Sequence, residues 1–255
     1  MSGTRAGGHT VKDGRVEILA DSEAMARWVA DRLLEAATAK ADGPFVVALS
    51  GGSTPKRLYQ ILATEPYASR FPWDRTQLFF GDERFVPPDD ESNNYNMTNK
   101  ALLSHVPVPP ANVHRMPTDG DPDEAAARYE RELRMLYGRD TLEEGRPLFD
   151  VVLLGLGENG HTASLFPGTD VLQEKEKWVS SCVPHDAPHT RLTLTYPAIH
   201  SSRTVMFLVA GKSKAEVVPL VRSGDPSQPA SAITSEGELV WLLDKASAGE
   251  EDGHG

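Results

Sequence analysis

Three stretches of this chain end an apolar run and then present residues suited to holding anions or moving protons. The first is Leu49-Ser50-Gly51-Gly52-Ser53-Thr54-Pro55. Paired glycines let backbone N–H groups approach an anion closely, and a helix starting there adds the positive end of its dipole. Gly51, Gly52 and Ser53 are therefore candidates for holding a phosphate; the plain alternative is an ordinary tight turn between strand and helix. No Gly-Lys pair follows, so the segment is not a P-loop. Pro55 stands where a nucleophile elbow needs its second glycine, so Ser53 does not read as a nucleophile.

The second stretch is Gly155-Leu156-Gly157-Glu158-Asn159-Gly160-His161, which fits G-x-G-x-x-G. A dinucleotide site also needs an acidic residue ~20 positions on, closing the next strand. Asp170 comes too early, and no acid ends the strand expected near Trp178. What remains is His161, placed where a strand's carboxyl end should meet a helix. A neutral imidazole there can take a proton from water near pH 7; the alternative is a histidine that only bonds a loop carbonyl. The third stretch, Asp82-Glu83-Arg84, follows the apolar Leu78-Phe79-Phe80 and reads either as a solvated corner or as part of the same site. Arg191, Lys212 and Lys214 stand at the ends of later β-prone runs, where long cations can neutralise a phosphate. Cys182, His185 and His189 offer one thiol and two imidazoles, but no fourth ligand is spaced to close a zinc site, and no metal is expected.

These residues need elements to position them. Arg15 to Ala20 is β-prone, and Asp21 or Ser22 can cap a helix carrying Met25, Trp28, Val29, Leu33 and Leu34 at helical spacing. Phe45 to Leu49 is a continuous apolar run, the pattern of a strand covered on both faces, and Leu78 to Phe80 and Phe149 to Leu154 read as further buried strands. Thr54 is expected to cap a helix with Pro55 at its first position. Further helices are expected near Tyr95 to Leu103, Pro122 to Tyr137 and Ser213 to Val221. Strands are expected at Trp178 to Val183, Arg191 to Thr195, Val205 to Ala210 and Leu239 to Leu243. Such alternation implies an α/β fold, a mostly parallel sheet with helices on both faces, with ligands beyond the carboxyl ends of its strands.

Composition bounds the function. The chain has 255 residues, 39% of them hydrophobic, enough to build a packed core. A single domain over 15–245 is expected, with 1–14 and 246–255 as disordered tails. The 26 basic against 37 acidic residues leave a net charge of −11. That balance argues against nucleic-acid or anionic-membrane partners, which need a basic face. One cysteine allows no internal disulfide, no apolar run reaches the ~20 residues of a membrane span, and no leader-like segment opens the chain. A cytoplasmic protein is expected.

Taken together, the motifs resemble the 6-phosphogluconolactonases of the glucosamine-6-phosphate isomerase/6-phosphogluconolactonase superfamily. The resemblance rests on Leu49 to Pro55, on Phe80 to Arg84 with Ser92-Asn93-Asn94-Tyr95, and on Gly155 to Pro167. Arg191 to Thr195 and Gly211 to Ala215 extend it, so that it covers roughly Val16 to Leu243. It implies a Rossmann-like domain that hydrolyses 6-phospho-D-glucono-1,5-lactone to 6-phosphogluconate in the pentose phosphate pathway. No cofactor is implied; the partner is the phosphorylated sugar lactone, and the protein a monomer or homodimer. By the family pattern, Gly51, Gly52, Ser53, Arg84, Arg191 and Lys214 hold substrate or phosphate and His161 activates water, with Lys212 beside the matching lysine. Where the family often has Asp-Gly-His, this chain reads Asn159-Gly160-His161, and Asp82 is the nearest motif carboxylate left to assist. Gly157, Asn159 and Gly160 are expected to supply oxyanion donors or to orient the imidazole. The isomerase relatives use carboxylates where this chain has Asn159 and Phe166, which favours a lactonase over an amino-sugar-phosphate isomerase or deaminase. A non-catalytic sugar-phosphate sensor would keep the anchors without needing His161.

Overall fold

The apolar runs fold as strands because burial on both faces removes the need for a polar side. The computed structural model describes residues 14–250. In chain order the elements are β1 (Arg15–Leu19), α1 (Ser22–Ala39), β2 (Phe45–Leu49), α2 (Ser53–Leu62), α3 (Tyr67–Arg70), β3 (Thr76–Phe80), β4 (Asp82–Arg84) and α4 (Asn94–Thr98). There follow α5 (Pro122–Tyr137), β5 (Phe149–Leu154), β6 (Val179–Cys182), β7 (Arg191–Leu194), α6 (Tyr196–His200), β8 (Ser202–Val209), α7 (Val217–Arg222) and β9 (Glu238–Asp244). Every residue of β2 and β5 is buried.

Six strands form one sheet in the order β1-β9-β8-β5-β2-β3, and every pairing in it is parallel. The α/β architecture expected from the sequence is the one observed. All carboxyl ends therefore share one edge. β2 lies beside β5, yet the chain leaves β2 toward β3 and leaves β5 toward β8, on opposite sides. Loops that diverge from neighbouring strands open a crevice between them. At the opposite edge Lys40 Nζ meets both Asp150 oxygens at 2.7 and 2.6 Å, and Val46 N donates to the same carboxylate at 2.8 Å, pinning β2 to β5.

Three local expectations need correction. Thr54 does not cap α2: Gly52 is the N-cap, and its φ of +104° turns the chain directly into a helix starting at Ser53. Asp82-Glu83-Arg84 is not a corner closing β3 but a separate strand, β4, in a second sheet of order β4-β7-β6 whose pairings are antiparallel. The C-terminal tail begins later than 246, because Ser247 is buried and bonds Asp244 and the carbonyl of Val209. Residues 1–13 and 251–255, the rest of the expected tails, lie outside the described residues.

Tyr129 on α5 ties the fold's centre to the site edge. Its buried hydroxyl accepts from Phe80 N at 2.7 Å, beside the carbonyls of Phe80 and His114, each 3.2 Å away. Tyr129→Phe leaves a buried N–H without a partner and should cost about 1–3 kcal/mol in denaturant unfolding. A loss below a few tenths would mean that this hydroxyl holds nothing.

Candidate active site

The crevice between β2 and β5 opens into a cavity of about 390 Å³ at the carboxyl edge. Its lining includes Ser50 to Pro55, Asp82, Arg84, Gly157, His161, Phe166, Arg191 and Lys214. The sequence candidates from five separate segments thus meet in one place. Lys212 is exposed and outside this lining, whereas Lys214, two residues on, is part of it. Asp244 fixes the turn that carries both, accepting from Gly211 N at 3.0 Å.

Tyr59 on α2 sets the first loop, its hydroxyl accepting from Ser50 N at 3.0 Å and donating to Ser50 O at 2.7 Å. Among the described residues no acceptor meets the N–H groups of Gly51, Gly52, Ser53 or Thr54. Four free donors at a helix start attract an anion. Gly51 has a further reason to be glycine: a Cβ there would lie 2.0 Å from Asn94 Oδ1. Asn94 is buried and its Nδ2 donates to Asp82 O at 2.9 Å, so one side chain joins the loop to β4. Glu83 in turn accepts from the backbone N–H groups of Arg84, Asn94 and Tyr95, and burial pushes its carboxyl up to about 7.

Arg84 and Arg191 sit directly opposite each other in the β4–β7 pairing, which puts both side chains on one face. Arg84 donates to Ser92 O at 2.6 Å and Arg191 to Pro188 O at 3.2 Å. The Nε of each is buried with no partner among the described residues. Burial first, then the neighbouring Arg84 charge, pull Arg191 below its ordinary pKa. Two desolvated like charges with unspent donors are a receptor for an anion, because an anion relieves both costs at once.

His161 lies on the loop after β5. No helix follows it directly: Gly157, Gly160, Pro167 and Gly168 keep residues 155–169 in turns, correcting the sequence expectation. Its Nδ1 is 2.6 Å from Asn159 Oδ1, which also accepts from His161 N at 3.2 Å. An amide oxygen at that nitrogen favours the proton on Nδ1 and leaves the Nε2 lone pair free. A Cβ on Gly157 would fall 2.0 Å from His161 Nδ1, so the ring rests against a bare Cα. Burial pushes the imidazole down to about 4; Asp82 opposes that, while Lys214, Arg191 and Arg84 add to it. Asp82 itself is buried and accepts from Ser164 Oγ at 2.7 Å. Ser164 reaches it through a turn in which Ala163 takes a φ of +47° and Leu165 N donates to Thr162 O.

Two of the amides expected as oxyanion donors in this loop are already occupied: Gly157 N donates to His161 O at 2.8 Å and Gly160 N to Gly157 O at 3.0 Å. Asn159 meets the imidazole through its side-chain oxygen, and Gly160, at a φ of +75°, shapes the turn. Cys182, His185 and His189 do not converge: Cys182 is buried with its thiol donating to Ser164 O at 3.1 Å, and both histidines are exposed. No group of three metal-ligating side chains occurs among the described residues. Asn94 and Ser164 are lining residues that carried no role in the sequence reading, and Phe166 entered it only as an argument against an isomerase; all three stand inside quoted motifs, but nothing in their spacing shows where their side chains turn.

An α/β sheet with a cation-lined crevice at its topological switch, holding one neutral histidine, defines a class of proteins that bind small anions at that edge. The model for glucosamine-6-phosphate isomerases/6-phosphogluconolactonase matches residues 20–241. The chain is 40% identical over 241 residues to the 6-phosphogluconolactonase of Nostoc sp., covering 92% of this chain and 97% of that one. With the Synechocystis sp. 6-phosphogluconolactonase it shares 42% over 227 residues, 87% and 90% of the two chains. The solved 6-phosphogluconolactonase of Trypanosoma cruzi superposes with a TM-score of 0.82 at 29% identity, over 96% of this chain and 99% of that one. The chain belongs to the glucosamine-6-phosphate isomerase/6-phosphogluconolactonase family.

The titration of His161 is directly observable. Its ring resonances should titrate with a midpoint near pH 4, assigned by their loss in His161→Gln. A midpoint at or above the ordinary 6.5 would mean that Asp82 outweighs burial and the cations.

Proposed function

We propose that this family member hydrolyses 6-phospho-D-glucono-1,5-lactone to 6-phosphogluconate, with His161 as the base that activates water. The observation that carries the reading is a neutral imidazole, locked through Nδ1 by Asn159, in the same cavity as two cross-strand arginines with unspent donors. The phosphate docks on Arg84, Arg191 and Lys214 together with the free N–H groups of the Gly51-Gly52-Ser53 loop. That anchor holds the lactone carbonyl near His161 Nε2.

Water then adds to C1 while Nε2 takes its proton, giving a tetrahedral oxyanion and an imidazolium. Asp82 stabilises the imidazolium through space, a charge that Asn159 cannot supply. The oxyanion is met by the cavity's positive field, since the Gly157 and Gly160 amides are spent. Collapse breaks the bond from C1 to the ring oxygen, which receives the proton back from His161. The product leaves as an open-chain acid that ionises to the carboxylate.

Within the family, the isomerase alternative needs acid–base groups that this cavity lacks at two points. Residue 159 is an amide bonded to the imidazole, and residue 166 is a phenyl ring stacked on it. Neither can move a proton for ring opening or enolisation.

A coupled assay with fresh lactone, corrected for spontaneous hydrolysis, tests the activity; release of ammonia from an amino-sugar phosphate would favour the isomerase. His161→Ala should lose two decades or more of kcat, within the ~10²–10⁴ a general base supplies, with phosphate binding kept. Near-normal turnover would discard that base. Arg84→Ala and Lys214→Ala should chiefly raise KM, because they contact the phosphate in ground and transition states alike. A change confined to kcat would remove them from the anchor.

A further inference from the structure

The imidazole of His161 has one more neighbour, which the chemistry above leaves unused. The ring of Phe166 lies 4.2 Å from it, centroid to centroid, at an interplanar angle of 20°. The guanidinium carbon of Arg191 sits 5.9 Å from the centre of the same phenyl ring. Phe166 is buried, and all three side chains line the one cavity. The intervening turn makes this contact. Leu165 N donates to Thr162 O at 2.9 Å, Thr162 Oγ1 donates to Gly155 O at 2.8 Å, and Ala163 takes the left-handed backbone. Residue 166 is thereby folded back onto residue 161. Such a backbone is disfavoured at alanine, so packing must hold it.

We infer that Phe166 is the positioning residue for the base: its ring fixes the plane of the His161 imidazole and covers one face of it, leaving Nε2 open to the reacting water. This rests on the lactonase reading. Asn159 holds one ring nitrogen and the bare Cα of Gly157 receives that edge, but neither sets the tilt of the ring about the bond to Cβ. A flat aromatic surface does, because an offset stack is broken by rotation. An apolar face also disfavours the imidazolium, adding to Lys214, Arg191 and Arg84 and opposing Asp82, the charged groups that face this ring. A carboxylate at 166 would do the reverse: it would pair with Arg191, taking a phosphate donor, and would hold His161 protonated and useless as a base. The residue therefore also decides which chemistry the cavity can run.

The test compares Phe166→Leu, Phe166→Tyr and His161→Gln by pH profiles of kcat and KM with the lactone. Phe166→Leu keeps an apolar side chain but loses the flat face, so that the imidazole can tilt and water reaches the face the phenyl ring covered. Its kcat should fall about tenfold, a loss typical of a loosened catalytic group, with KM changed far less. The acid limb of its profile should move up from about 4 toward the ordinary imidazole value of 6.5. Phe166→Tyr, which retains the ring, should bring both back toward the parent. If Phe166→Leu does not fold by circular dichroism, Phe166→Met carries the same expectation. A Leu or Met variant with the parent's kcat and acid limb, or with only KM raised, overturns the inference. Turnover surviving in His161→Gln overturns the lactonase mechanism itself, and the two failures are read from different variants.

Discussion

The central sheet has β2 hydrogen-bonded to β5 although the chain leaves them in opposite directions. Parallel pairing sends both carboxyl ends to one edge, and divergent exits keep the following loops from filling the space between them. The candidate site is built around that gap. The paired-glycine turn belongs to β2, and the histidine loop to β5. The Lys40–Asp150 pair at the opposite edge holds the same two strands together, so the crevice is braced from its far end.

A second sheet completes the site. It is short, with three residues in β4 and four in β7, yet its register puts Arg84 against Arg191. Two guanidinium groups side by side repel, and burial worsens this. The arrangement is stable because the backbone pairing and the Glu83 cap of α4 impose it, and the site carries the resulting positive potential to the substrate. Thus an acidic chain, at −11 overall, presents a local excess of cations in its crevice. Net charge by itself says nothing about one small anion.

The same field shapes the histidine. Three cations and apolar burial favour the neutral ring, and one carboxylate tethered by Ser164 favours the charged one. The ring is therefore neutral near pH 7, with one carboxylate close enough to favour a proton on it, which is the balance the proposed hydrolysis calls on.

The sequence by itself determined the strands, because a segment buried on both faces must be almost wholly apolar, as Phe45 to Leu49 is and as Phe149 to Leu154 is but for Asp150, whose charge Lys40 neutralises. It also determined that the candidate residues follow those strands, since glycines and unpaired charges collect where the buried runs end. Asp21 as the cap of α1 was legible for the same local reason, its side chain accepting from Ala24 N. Tertiary structure decided the rest. That β2 neighbours β5, that Arg84 faces Arg191, that Phe166 folds onto His161 and that the Gly157 and Gly160 amides are already spent are facts of pairing and turn geometry. Each depends on groups brought together by strand order, and no residue type or spacing along the chain records which partner a free donor will find.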